Sequence, residues 1–290
     1  MTDYALLESR IAAWAIANPD LIAGVVVGSR GRADHPADQW SDLDLVIFST
    51  ATEVFIQDGS WLEGFGELWA SWLDNTGSGY PEWFALYAGG LEVDIVFVPV
   101  QADATTLAQM LGTFAHQDVL ERGVRVLFEK SDLPAQAGIT PPTSSSQAIP
   151  NPSSAEYRNH LNQFWITAAK TVKLIQRGAL WRAKQACDGE LKTCLLKMLE
   201  WHTRSRYGLE RDIWYDGRFL SSWADPRAVA ELPGTFAAYD QADLRRALQA
   251  TLRLYQWLAG ETAASLGCEY PQPNDLQVLD WLTVSLSENY

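Results

Sequence analysis

The sequence predicts an α+β protein in which a small mixed sheet with helices is followed by a bundle of helices. Short β-branched runs alternate with polar loops in the first 130 residues, whereas residues 153–290 show long stretches of helical apolar spacing. Residues 129–152 between them are rich in Pro and Ser, which is typical of a linker. We therefore expect a first domain over residues 1–135, a linker over 136–152 and a helical domain over 153–290.

The first domain is predicted to begin with a helix and two strands. Residues 4–17 have helical spacing, and Asn18-Pro19 ends that helix. Residues 21–27 form an apolar, β-branched run that Gly28-Ser29 stops, and a polar loop leads to a second apolar run at residues 43–48. A glycine backbone can approach a phosphate closely, and the Ser29 hydroxyl adds a donor, with Arg30 next to it. The turn at Gly28-Ser29 is therefore a candidate phosphate site.

The next part of the chain predicts further strands and one helix. Residues 67–73 are a candidate strand, and residues 81–98 indicate two strands about a Gly89-Gly90 turn. A helix over residues 102–114 and a short strand over 124–128 complete the first domain. In the second strand of the hairpin, alternation places Glu92, Asp94, Val96 and Val98 on one face and Leu91, Val93, Ile95 and Phe97 on the other.

Three aspartates are candidate metal ligands. Asp42 and Asp44 are two residues apart at the start of a strand, where their side chains share a face, and carboxylates of this kind suit Mg²⁺ together with substrate phosphates. Asp94 interrupts an apolar strand, which is costly for a carboxylate unless it lies at an edge, is paired or binds a metal. Alternatives remain: Asp42 and Asp44 could simply open a strand, and Asp94 could face water.

The second domain is predicted from helical spacing and end signals. Ser153 and Glu156 form a candidate capping box before a helix with buried positions from Phe164 to Ile175. Another helix runs from Leu180 or from Glu190 through Trp201, a long one ends at Gly267, and the last covers residues 275–286. The many tryptophans are most simply interpreted as core residues.

Composition limits the classes of function. With 290 residues, of which 47% are hydrophobic, the chain can bury a sizeable core. The formal net charge of −14 argues against a nucleic-acid partner and favours a small cationic one. We expect no membrane segment, because no basic and apolar leader or long apolar run is visible, and hence a cytoplasmic protein. The three cysteines lack the spacing of a disulfide framework or a zinc site.

The strand, Gly28-Ser29, polar loop and Asp42-x-Asp44 together resemble the signature of the polymerase β-like nucleotidyltransferases. The resemblance implies that Gly28 and Ser29 hold a triphosphate while Asp42 and Asp44 bind Mg²⁺. It also implies a third carboxylate on a later strand, which Asp94 supplies as general base on the acceptor hydroxyl and as a further metal ligand. Glu92 is the nearest substitute for this base.

The second, helical half of the chain restricts the resemblance to one family of these enzymes. The segments FWITAAKTVK, GALWRAKQACDGELKTCLLKMLEWH and LGCEY are similar, in order and spacing, to bacterial aminoglycoside 6-adenylyltransferases, which modify streptomycin. The resemblance covers nearly the whole chain and implies Mg²⁺-dependent transfer of AMP from ATP to an aminoglycoside hydroxyl, which confers antibiotic resistance. The stretch from His202 to Phe219 follows the family only loosely, which leaves the identity of the antibiotic open.

Further site residues follow from the resemblance. Lys173 and Lys184 match lysines of the family's helical domain that could neutralise triphosphate oxygens, and Arg30 is another cationic candidate. Glu92, Glu200 and His202 are candidate contacts for a cationic acceptor. For the two lysines a solvated helix face is the alternative, and for His202 it is a core or surface position with no ligand.

Several other functions stay open beside this one. The acceptor could be a lincosamide or another hydroxyl compound, and the fold could belong to a non-catalytic, antitoxin-like partner. The convergence of Gly28, Ser29 and three carboxylates argues against the latter. A nucleic-acid polymerase is disfavoured by the acidic charge. We expect a monomer.

Overall fold

The computed structural model describes residues 3–32, 35, 37–100, 107–115, 120, 123–130 and 151–287. The chain divides into two compact units, Met1–Gln147 and Ala148–Tyr290, which are described separately below. Most of the predicted linker, residues 136–150, lies outside the described residues, as does the first part of the helix predicted over residues 102–114. None of the helices in the described ranges has the length and apolar character to cross a membrane.

The first unit contains a mixed six-stranded sheet, as the sequence predicts. Its strands are β1 (Leu21–Val27), β2 (Leu43–Ser49), β3 (Leu68–Asn75), β4 (Pro81–Tyr87), β5 (Leu91–Pro99) and β6 (Arg125–Glu129). Their order across the sheet is β3-β4-β5-β2-β1-β6. The β2 and β5 strands run parallel, and the other neighbouring pairs are antiparallel. This arrangement brings the two strands that carry the predicted carboxylates side by side at the centre of the sheet.

Helices in the first unit pack against this sheet. They are α1 (Tyr4–Ala17), α2 (Gly28–Gly31), α3 (Thr52–Ile56) and α4 (Leu107–Thr113), with a 3₁₀ helix at Ser60–Phe65. Gly28-Ser29, predicted as a turn, opens the single helical turn α2. Buried residues of α1, α3 and the 3₁₀ helix join one apolar cluster with Val93, Ile95 and Phe97. Residues of α4 join a second cluster with Val96 and Val98. The predicted alternation of faces along β5 is therefore confirmed.

The second unit is helical. Its helices are α5 (Ser154–Gln176), α6 (Leu180–Gln185), α7 (Leu191–Tyr207), α8 (Leu220–Trp223), α9 (Pro226–Glu231), α10 (Gln241–Leu266) and α11 (Pro273–Ser287). Both proposed starts of the second long helix have a counterpart, since α6 begins at Leu180, and α7 begins at Leu191 after a π-helical segment at Ala186–Glu190. The predicted capping box at Ser153 and the Gly267 C-cap, with a φ of 68°, are both confirmed. One apolar cluster unites residues of α5, α7, α10 and α11.

The interpretation of the tryptophans as core residues is only partly right. Trp83, Trp165 and Trp223 are buried. Five others are more than a third exposed, namely Trp40, Trp69, Trp72, Trp181 and Trp281. Residue type alone favours burial of an indole, but it does not say whether a helix or strand covers the face on which that indole lies.

Candidate active site

The end of β1 brings the backbone of Gly28 against the carboxylate of Asp44. Val27 pairs directly with Asp44 across the β1–β2 ladder, and Gly28 then turns the chain with a φ of +61°. A Cβ atom at residue 28 would lie 2.0 Å from Asp44 Oδ2. Only glycine accepts both this φ and this approach without displacing the carboxylate. The glycine that sequence reasoning assigned to a phosphate therefore also makes room for Asp44.

Ser29 presents a buried hydroxyl beside this turn. Its side chain is 5% exposed, and its Oγ atom has no hydrogen-bond partner within the parts of the chain that the structure describes. A buried hydroxyl without a partner costs free energy, and a bound molecule that accepts its hydrogen bond would remove this cost. The Ser29 Oγ–H is thus available to donate to an oxygen of a bound molecule.

The three predicted aspartates converge. Asp44 and Asp94 face each other in the parallel β2–β5 pair, and Asp42 lies two residues before Asp44. One oxygen from each carboxylate lies within 4.8 Å of the other two, and all three side chains are half-buried. Hard oxygen ligands at this spacing suit a cation such as Mg²⁺, which needs one or two carboxylates and completes its shell with water or phosphate. The donor set therefore fits the metal that the sequence predicts.

The pKa of Asp94 reflects this crowding. Burial and neighbouring negative charges together raise it to about 7; burial contributes most, followed by the charges of Asp44, Asp42, Glu82 and Glu92. A group with a pKa near neutrality can accept a proton and later release it, which is what a general base requires. A bound cation would favour the ionised carboxylate and act against the shift.

Arg30 supports the loop that carries Asp42. Its Nε donates to the Asp42 carbonyl oxygen at 2.9 Å, and Nη2 donates to the Ser41 carbonyl oxygen at 2.8 Å. The guanidinium also lies 3.6 Å from the centroid of the Tyr4 ring. Arg30 was a candidate phosphate ligand in the sequence, and the structure places it where it holds the start of β2 in position.

Tyr4 is a site residue that sequence reasoning missed. Besides stacking on Arg30, its hydroxyl accepts a hydrogen bond of 3.1 Å from the Glu92 backbone N–H. It thereby ties α1 to both the Asp42 loop and the strand of Asp94. In the sequence Tyr4 is only the first residue of an amphipathic helix, and no local pattern distinguishes it from a packing residue.

The remaining predicted residues differ in placement. Glu92 is exposed on β5, two residues from Asp94. In the second unit, Lys173 is exposed, with Nζ 5.9 Å from the centroid of the Trp281 ring. Lys184 Nζ binds the Asp188 carboxylate and the Ala237 carbonyl oxygen, both at 2.5 Å.

Glu200 and His202 lie on α7. Glu200 forms an ion pair of 3.1 Å with Lys197. His202 is 1% exposed, and its ring centroid lies 5.1 Å from that of Trp257. Burial also lowers the pKa of His202, which favours the neutral ring. The structure therefore places His202 in the core of the second unit, which is one of the alternatives that the sequence left open.

Comparisons with known proteins agree on one family. The family described as streptomycin adenylyltransferase matches residues 1–284. The chain is similar to an aminoglycoside 6-adenylyltransferase of Bacillus subtilis, with 24% identity over 258 residues and 84% of both chains covered. It is also similar to the proteins of the same name from Campylobacter jejuni, with 20% identity over 84% of this chain and 82% of that one, and from Staphylococcus aureus, with 21% identity over 84% and 85%.

A solved structure is similar as well. The crystal structure of an aminoglycoside 6-adenyltransferase from Bacillus subtilis aligns with 97% of this chain and 99% of its own, at 15% identity and a TM-score of 0.45.

The family match spans both units of the chain and includes Gly28, Ser29 and the three aspartates. The chain therefore belongs to the streptomycin adenylyltransferase family and is a nucleotidyltransferase enzyme.

Proposed function

We propose that this protein transfers AMP from ATP to a hydroxyl group of a streptomycin-like aminoglycoside, with release of pyrophosphate and in the presence of Mg²⁺. The observation that carries the proposal is the convergence of Asp42, Asp44 and Asp94 beside the Gly28-Ser29 turn. The names of the family and of the three curated relatives support the choice of an aminoglycoside as acceptor.

Gly28 and Ser29 would bind the triphosphate of ATP. The unpartnered Ser29 hydroxyl can donate to a phosphate oxygen, and the glycine leaves room for the backbone to approach it. Lys173 and Lys184 are proposed to add positive charge to the triphosphate site. Lys173 is the more accessible of the two, because Lys184 is held by Asp188 and Ala237.

Asp42, Asp44 and Asp94 would hold Mg²⁺. When bound there, the ion would supply positive charge that stabilises the phosphate oxygens in the transition state. Asp94 would take the proton from the acceptor hydroxyl, whose oxygen forms a bond to the α-phosphorus as the bond from that phosphorus to the pyrophosphate oxygen breaks. The chain's contribution is thus to position both reactants and to accept one proton.

Charge supports a cationic acceptor. Aminoglycosides are polycations, and the chain carries a formal net charge of −14. Glu92 lies near Asp94 and is proposed to contact the acceptor, and Glu200 is a second proposed contact. Because the reaction consumes ATP, we propose that it takes place in the cytoplasm. We also propose that the protein acts as a monomer.

The experiment that tests this function incubates the purified protein with ATP, Mg²⁺ and a panel led by streptomycin, and also containing a lincosamide. We expect mass spectrometry to find an aminoglycoside heavier by one AMP unit. Asp44→Asn should form no product, whereas Glu53→Gln, an exposed carboxylate on α3, should form it at the parental rate. Product formed on the lincosamide alone would contradict the proposal of an aminoglycoside acceptor. ATP binding without any product would favour a non-catalytic protein.

A further inference from the structure

The sheet face that carries Asp44 and Asp94 continues past them toward the edge strand. Phe84 on β4 lies directly opposite Asp94, and Trp72 on β3 lies directly opposite Phe84. Glu82 and Asp74 face each other two pairs further along the same two strands, and hence on the same face. Since directly opposed residues share a face of a sheet, these side chains extend the surface on which the metal ligands lie. We call Trp72, Asp74, Glu82 and Phe84 the β3–β4 ledge.

The helix that packs on this face covers only the part of it that borders Glu82. The apolar cluster there contains Met110 and Leu111 of α4, and Phe114 stacks on Tyr80 with ring centroids 5.7 Å apart. Within the described ranges, no residue of β3 or β4 belongs to that cluster. Val96 lies opposite Glu82 and Asp94 lies opposite Phe84, so the helix lies over the part of the face that borders Glu82. Among the described residues, it does not extend over the Phe84–Trp72 part of the ledge.

An aromatic pair forms the floor of the ledge. The Trp72 and Phe84 rings are stacked, with centroids 4.7 Å apart and an interplanar angle of 20°. Trp72 is nevertheless 57% exposed, although it is one of the largest apolar side chains in the protein. An indole fixed by stacking, with a face left to solvent, is well suited to bind a planar cation.

The same surface carries negative charge that reaches the catalytic carboxylate. Glu82 is among the residues whose charge raises the pKa of Asp94, and it lies opposite Asp74 across the β3–β4 ladder. A cation bound beside these two carboxylates is attracted by both charges. The ledge therefore combines an aromatic surface with negative charge. It lies next to Asp94, which is proposed to take the proton from the acceptor hydroxyl.

From this arrangement we infer that the β3–β4 ledge binds a guanidinium or ammonium group of the acceptor, with the cation stacked on Trp72 and paired with Glu82. The inference rests on the proposed function and names the surface that orients the acceptor. A cation held on Trp72 and Glu82 places a neighbouring hydroxyl of the same molecule toward Asp94, on the adjacent strand. Trp72 and Glu82 are thus positioning residues that determine specificity for cationic acceptors.

The test combines turnover with direct binding. Streptomycin carries guanidinium groups and serves as the probe, and its binding is measured by calorimetry with an ATP analogue that cannot be cleaved at the α-phosphorus. Trp72→Ala should raise the Kd and the KM for streptomycin about 3- to 10-fold, with the KM for ATP changed less than about twofold. Trp72→Phe, which keeps a ring, should restore most of the affinity.

Two charge variants complete the design. Glu82→Gln should raise the KM for streptomycin by a factor of roughly 3 to 10 and make it less sensitive to added salt. The matched control is Glu53→Gln, which removes the same charge from α3, a helix that packs on the opposite sheet face through Phe55. The control should leave both constants unchanged. Gel filtration of each variant shows whether the β3 edge instead joins two copies of the chain.

The outcomes separate the ledge from the proposed function. If the parent transfers AMP to streptomycin but Trp72→Ala and Glu82→Gln bind it as the parent does, the inferred role of the ledge is wrong and the proposed function is supported. If the parent binds streptomycin without transfer and Trp72→Ala loses that binding, the ledge is supported and the function is wrong. If the parent neither binds nor modifies an aminoglycoside, or if Trp72→Ala only converts a dimer to a monomer, the ledge is overturned.

Discussion

At the level of single residues, Asp94 is the group on which the proposed chemistry depends. Its burial and the charges of its acidic neighbours Asp44, Asp42, Glu82 and Glu92 favour the protonated form, whereas the base step needs the ionised one. We expect Asp94→Asn to lower kcat by about 10²- to 10⁴-fold, because an amide cannot accept the hydroxyl proton. The affinity for ATP should change little, which equilibrium binding of labelled ATP would check.

A kcat close to that of the parent for Asp94→Asn would show that Asp94 is not the general base. In that case Glu92→Gln is the next variant to measure, because Glu92 lies on the same strand face two residues away. If Asp94→Asn lowers both the affinity for ATP and kcat, Asp94 instead acts only as a metal ligand.

Ser29 allows a residue's role in binding to be separated from its role in stability. Its hydroxyl is buried without a partner among the described residues, so Ser29→Ala removes no hydrogen bond from the folded protein. We expect the free energy of unfolding to stay within about 0.5 kcal/mol of the parent, and the KM for ATP to rise about tenfold or more. Urea unfolding and steady-state kinetics measure the two quantities.

Ser49 is the matched control for Ser29. It is also fully buried, but its Oγ donates to the Asp20 carbonyl oxygen at 3.0 Å and accepts from the Ala51 N–H at 3.1 Å. Ser49→Ala should therefore lower the stability while leaving the KM for ATP unchanged. A Ser29→Ala protein that loses stability but binds ATP normally would show that the hydroxyl has a structural partner instead.

At the level of elements, the start of α5 illustrates a local sequence signal that is sufficient to predict where a helix begins. Ser153 Oγ accepts from the Glu156 N–H, and the Glu156 carboxylate accepts from the Ser153 N–H at 2.8 Å. Both groups satisfy N–H donors that have no partner inside the helix. We expect Ser153→Ala to lower the free energy of unfolding by about 1 kcal/mol, measured by urea denaturation.

The control for this element is Ser287→Ala at the end of α11. There the hydroxyl only donates to the Val284 carbonyl oxygen within its own helix. A change of less than about 0.5 kcal/mol is expected. Equal losses for the two variants would mean that the capping box contributes nothing specific.

Other elements depend on partners far away in the sequence. The β2 and β5 strands are predicted individually from their apolar alternation, but nothing local says that they are parallel neighbours. Likewise, the hairpin of β4 and β5 follows from Gly89-Gly90, whereas the exposure of β3 follows from its position at the edge of the sheet. The predicted elements are therefore mostly right, and their order across the sheet comes from the structure.

At the level of the whole molecule, the raised pKa of Asp94 links stability to pH and to metal. In the metal-free protein the folded state retains a proton on Asp94 up to a pH of about 7, whereas the unfolded chain loses it near the usual Asp value of about 4. The folded state therefore binds more protons between these values, and stability falls as the pH rises through this window.

The expected size of this effect is about 1 to 2 kcal/mol, reduced by the partial solvation of the carboxyl group. Thermal unfolding at pH 5 and pH 8 in a chelator measures it against Asp94→Asn, which should lack this part of the pH dependence. Added Mg²⁺ should stabilise the parent at pH 8, because the ion binds the folded state alone. The same pH dependence in both proteins, or no effect of Mg²⁺ on the parent, would contradict the carboxylate site.

The sequence alone predicted most of the elements and the groups that make up the candidate site. Period-two alternation, Gly28 and the isolated charge of Asp94 in an apolar strand are local properties, so they can be recognised without the fold. Tertiary structure decided which groups meet. It set Asp44 opposite Asp94, bound Arg30 to the Asp42 carbonyl and Tyr4, and buried His202 against Trp257. It also left Trp72 exposed on Phe84. These outcomes depend on strand order and packing between residues distant in sequence, which no local pattern encodes.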